Sequence, residues 1–199
     1  MNTLLARTVV IAAGIAVLAG PVAAQDEVRK LFEAGKYQEV VERTKDDGAP
    51  EVRYLNALAH RKLDQNDQAK DAFRKLSEGE GAWQAVGQSG LALVDGNADE
   101  AVNAARTAVE RDGGLAQAQF QLGQALDAKG ENAQAAEAFA KAAESAPQMA
   151  YAHYQAGMSF YKAKRVDKMA VYFENFLKLA PNAPERPAVQ SIMRTVRGR

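Results

Sequence analysis

Cysteine is missing from the 199 residues, and only one Trp and two His occur. Without Cys there is no disulfide, no thiolate metal site, no cysteine nucleophile and no acylated Cys to hold a lipid anchor. His60 and His153 lie far apart in the chain, and no Asp/Glu cluster completes a ligand set around either. Neither metal binding nor general-base catalysis is therefore expected of them, and both are read as packing residues. Ser89 and Ser159 have no nucleophile-elbow motif around them. Gly79, Gly81, Gly87 and Gly90 are dense but do not spell a phosphate loop, which needs Gly-Lys-Ser/Thr opening a helix. They read instead as a loop followed by a weakened helix, so Ala82 to Val94 is expected to be the softest helix. An excess of charge is missing too. Lys plus Arg equals Asp plus Glu, 25 each, so no global field draws in nucleic acid or anionic lipid. No catalytic residue, cofactor or metal site is predicted, and the chain does not read as an enzyme.

Long apolar runs are also scarce. Val9 to Ala19 spans 11 uncharged residues, too short for the ~20 of a confident membrane span. Arg7 precedes it, Gly20-Pro21 breaks it, and Val22-Ala23-Ala24 offers small residues before Gln25. Residues 1–24 therefore read as a secretory signal cleaved after Ala24. An anchor formed by an uncleaved N-terminal segment is the alternative. The mature protein is expected to be exported and soluble, in the periplasm of a Gram-negative bacterium, with no stable membrane span after signal cleavage.

What the chain does have is an internal echo. Gly123, Ala135, Phe139 and Pro147 recur as Gly157, Met169, Phe173 and Pro181, each landmark 34 residues on. A fixed period of this length marks stacked supersecondary units. Ala116 to Ala128 and Ala133 to Ala143 carry apolar residues at helical spacing, with Lys129-Gly130 between them as a helix stop. Tyr151 to Ala163 and Val166 to Leu179 repeat the plan. Counting back from Ala135 reaches Ala101, with Asp95-Gly96-Asn97 as the turn, then Ala69 after a shorter step of 32. A further step of only 29 reaches the Val40 region, where Leu31 to Val40 reads as helix end, turn and helix start. At the other end, Val189, Ile192, Met193 and Val196 share one face of a short helix that would cover the last unit. Arg194, Arg197 and Arg199 near its end suit the helix dipole.

These residues resemble the tetratricopeptide repeat family: Leu122-Gly123, Ala135, Phe139, Ala142 and Pro147 in one unit, and Gly157, Phe160, Phe173 and Pro181 in the next. Gln88-Ser89, Ala105, Asn56 and His60 depart from the family pattern in the earlier units. The resemblance implies an all-α, right-handed α-solenoid of antiparallel helix pairs. It would hold about four repeats, a partial N-terminal unit and a C-terminal capping helix. The expected boundaries are 1–24 for the signal, 25–49 for the partial unit, 50–81, 82–115, 116–149 and 150–183 for the repeats, and 184–199 for the cap.

In that family the first helix of each pair lines a concave groove. Carried over by repeat position, the groove residues are Tyr54, Leu58, Trp83, Val86, Phe120, Gln124, Tyr151, Tyr154, Met158 and Tyr161. The set is rich in Tyr and Trp, which suit interface hot spots. It lacks the Lys and Asn array of the family's carboxylate-clamp members. The same side chains could instead pack repeat on repeat. The expected partner is a protein or peptide segment with apolar anchors, and no nucleic acid. The expected role is an exported scaffold or adaptor in cell-envelope assembly or maintenance. The alternative is a structural module that forms a homo-oligomer.

Overall fold

The computed structural model describes residues 21–45 and 48–198. Among these residues it is all helical, with no strand. The first pair is α1 (Pro21–Glu33) and α2 (Tyr37–Thr44), followed by α3 (Pro50–Lys62) and α4 (Asn66–Ser77). Next come α5 (Gly81–Val94) with α6 (Ala98–Arg111), and α7 (Ala116–Ala128) with α8 (Asn132–Ser145). α9 (Ala150–Lys162) and α10 (Val166–Leu179) make the last pair, and α11 (Arg186–Arg197) follows. Residues 1–20, where most of the expected signal falls, lie outside the described residues. α1 runs unbroken across the expected cleavage point between Ala24 and Gln25. No described helix is long and apolar enough to cross a membrane.

One turn is used five times. The middle residue of each turn within a pair is left-handed: Gly35, Asp64, Gly96, Gly130 and Lys164. The next amide then bonds back to the helix it has just left, as in Glu131 N–H to the Leu126 carbonyl at 2.9 Å and Arg165 N–H to the Phe160 carbonyl at 2.8 Å. This pattern satisfies carbonyls that would otherwise be orphaned at the helix end. Neighbouring helices then stack in sequence order, and α11 closes the array by burying Val189 and Met193.

The glycines of α5 lie at close helix contacts, a role the sequence reading of Ala82 to Val94 did not include. A Cβ at Gly87 would meet the backbone of α4, 2.7 Å from the Phe73 carbonyl oxygen. The space at Gly90 is taken by the Phe73 ring. Gly123 likewise lies under the Phe139 ring and Gly157 under Phe173. Missing side chains thus let the helices touch, and contact outweighs the helix-propensity cost of about 1 kcal/mol per glycine. The irregular residues of the early units have structural partners as well. Asn56 donates to Thr44 Oγ1 at 2.7 Å, tying α3 to α2. Ser89 heads a buried hydrogen-bond chain. Tyr54 Oη donates to Gln121 Oε1 (2.9 Å), Gln121 Nε2 donates to Ser89 Oγ (3.2 Å), and Ser89 Oγ donates to the Ala101 carbonyl (2.8 Å). The first unit, whose docking the sequence left open, packs against α3.

Two outcomes are expected from urea unfolding. Gly123→Ala should destabilise by roughly 1–3 kcal/mol through overpacking against Phe139, although Ala is the better helix former; a raised midpoint would contradict the close approach. Tyr54→Phe should cost about 1–3 kcal/mol, because it leaves the Gln121 carbonyl buried without its donor.

Candidate binding chamber

The first helices of the pairs face inward. The hydroxyl of Tyr54 on α3 reaches Gln121 on α7, past the intervening unit, whose Ser89 accepts from Gln121 in turn. The array curves so that the first helix pair meets the last. Phe32 on α1 meets the Tyr151 ring edge-on, with centroids 5.5 Å apart. Glu33 Oε1 accepts the Ala150 N–H at 2.8 Å, and Arg29 Nη1 donates to the Gln148 carbonyl at 2.8 Å. Lys62 lies 3.6 Å from Glu185 and sits over the Tyr151 ring at 4.8 Å. Gly35 abuts Pro184. The concave side is thus narrowed to a partly open chamber.

Two cavities remain inside it. One, of about 370 Å³, lies between α1, α3 and the start of α9, with Tyr54 and Leu55 on its wall and Arg29 and Gln117 among its polar groups. The other, of about 260 Å³, holds Arg61, Gln124 and Gln155. Phe32, Leu58 and Tyr151 line both and form the partition. Arg61 Nη1 and Gln124 Oε1 are buried without a hydrogen-bond partner.

The ten residues expected to form the groove separate into three groups. Tyr54, Leu58, Gln124 and Tyr151 line the cavities. Val86 and Phe120 are fully buried and reach neither cavity. Phe120 packs on Phe139 (5.1 Å) and Tyr151 (5.8 Å), so these two residues set helix spacing and are withdrawn as ligand contacts. Trp83, Tyr154 and Met158 are half-buried against the core, and Tyr161 is 42% exposed. Tyr154 stacks on Tyr151 at 5.6 Å and reaches Phe176 at 5.2 Å. The sequence pattern did not reveal Phe32, Glu33 or Gln155 as chamber residues, whereas repeat position does place Arg61 beyond Tyr54 and Leu58 on the groove side. His60 Nδ1 lies 2.7 Å from Gln65 Oε1, and the buried His153 has Nε2 3.1 Å from the Pro147 carbonyl. Among the described residues no group of three or more His, Asp or Glu could hold a metal ion.

Residues 86–150 and 120–184 each match the profile of a tetratricopeptide repeat family. Residues 86–184 are built of tetratricopeptide repeats. No curated protein matches the chain. Among solved structures, YrrB, a TPR protein with an unusual peptide-binding site, is 18% identical with a TM-score of 0.53, and the match covers 85% of this chain and 91% of that one. A crystal structure of MamA is 18% identical with a TM-score of 0.49, over 75% and 92% of the two chains. The likeness to YrrB shows the fold.

Burial raises the Glu33 carboxyl to about 7, from an ordinary 4.5. Arg29 and the Ala150 N–H oppose this shift, and Asp26 adds to it. The sign follows from linkage: a carboxyl that binds its proton more tightly when docked stabilises docking at low pH. That contribution is fully present below about 4.5, falls as pH rises, and is lost by about 7. Contact between α1 and α9 should therefore strengthen by an amount on the order of 2 kcal/mol from pH 8 to pH 4.5. Glu33→Gln should flatten the profile. NMR shifts of Tyr151 against pH would read this, and an unchanged slope in the variant would exclude Glu33 as the source.

Proposed function

We propose that this protein is an exported scaffold or adaptor that holds a protein or peptide segment in its concave chamber, in assembly or maintenance of the cell envelope. The observation that carries the reading is the 370 Å³ cleft beside Tyr54, Leu58 and Tyr151, with apolar walls and a polar rim that includes Arg29 and Gln117. An apolar anchor seated among fixed aromatic walls, with polar groups at the edge, is a common form of segment recognition. Tyr154, Met158 and Tyr161 continue along α9 and offer further contact to the same segment. The peptide-binding site of YrrB, on an array of the same fold, agrees with this role. The signal-like residues 1–24 support export and the envelope setting.

A second reading, self-association through the last unit, is favoured by Val166 and Val171, which are exposed on α10. Light scattering after size-exclusion chromatography separates the two readings: a stable dimer lost on Val171→Glu favours the module.

The scaffold reading is tested by a photo-crosslinking residue at Tyr161, with the same residue at Val171 as control, in cells. The expected result is a discrete adduct at Tyr161 that Tyr154→Ala reduces at least fivefold and that is missing at Val171. Equal adducts at both positions would reject the chamber as the binding face.

A further inference from the structure

The seam between the first and last helix pairs differs from every other junction of the array. Sequential units meet through continuous apolar faces, whereas the seam rests on single points. Phe32 on Tyr151 is its aromatic contact. Besides the Glu33–Ala150 bond, its polar links are the partly buried 3.6 Å Lys62–Glu185 pair and the exposed Arg29 bond to the Gln148 carbonyl, and an exposed link of the last kind contributes little.

The start of α9 is also made to depend on the seam. The Ala150 N–H, at the first position of α9, donates to Glu33 Oε1 across the seam at 2.8 Å.

Finally, Phe32 stands in the partition between the two cavities, so a segment that fills the whole chamber must displace it. We propose that this seam is a gate: the ring opens between the first and last helix pairs to admit a segment and recloses around it. The gate rests on the chamber being the binding site, but its test needs no partner.

The Ala150 amide reports the gate directly, since its acceptor in the closed ring is Glu33. The lock is a disulfide. A Cβ built on Gly35 stands 3.8 Å from the Pro184 Cβ, the usual spacing across a disulfide, and the chain has no other Cys. NMR hydrogen exchange is measured on the whole protein, reduced and oxidised, carrying Gly35→Cys and Pro184→Cys. Oxidation should slow exchange at Ala150 at least tenfold, and reduction should restore it. Phe32→Ala should speed it at least tenfold while Ala135, inside the third repeat, stays unchanged. Access to the chamber is read separately with N-ethylmaleimide on Leu58→Cys, a wall residue of both cavities. Phe32→Ala should raise that alkylation rate by a similar factor. Exchange at Ala150 that ignores the lock, or alkylation that ignores Phe32→Ala, would overturn the gate. So would a cysteine pair that does not oxidise in the folded monomer.

Discussion

The hydrogen-bond chain from Tyr54 through Gln121 and Ser89 to the Ala101 carbonyl holds the curvature on which everything else depends. It links α3, α7, α5 and α6, which belong to three successive units. Each of its side-chain groups is buried, and the phenol, the amide and the hydroxyl all find partners. A buried polar network that is fully satisfied fixes one geometry more sharply than apolar contact, because every alternative packing strands a donor or an acceptor. The geometry fixed here is a tight one. It draws α3 and α7 together across α5. That in turn brings Phe32 to Tyr151 and Glu33 to the start of α9.

The repeats, their turns and their close contacts were legible in the sequence, because each is local. Gly130 marks a left-handed turn, Gly123 a place where Phe139 must fit, and the 34-residue step fixes which residues are equivalent. The turn survives even where glycine is replaced, at Asp64 and Lys164, because the backbone bond that closes it is the same. Curvature was not legible. It depends on the Tyr54–Gln121 bond across 67 residues and the Glu33–Ala150 bond across 117, and no periodic pattern encodes partners at such distances. Repeat position alone therefore placed Val86 and Phe120 at a surface, whereas this superhelix buries both. The contact role of the α5 glycines was missed for a related reason. Propensity describes an isolated helix, and the backbone of α4 is what fills the space above Gly87.

The departures from the repeat pattern have a common sense. Asn56 and Ser89 stand where a more regular array would place small or apolar residues, and each makes a hydrogen bond between elements. In each case regularity within a unit is exchanged for a link between units. A quasi-one-dimensional stack has only nearest-neighbour interfaces. Links such as these add longer-range ones, so the ends of the stack come to depend on each other.

That dependence is uneven in strength. The Tyr54 chain lies in the interior, where separating its groups would strand each of them unpaired. The seam sits at the rim of the chamber, where water can replace its polar contacts, and burial of the Glu33 carboxyl outweighs what Arg29 and the Ala150 N–H do to hold its charge. The curvature is thus set in the interior, while closure is decided at the rim. A small loss of contact there can open the ring while the repeats stay folded, since segments held by few apolar contacts detach at far less cost than global unfolding.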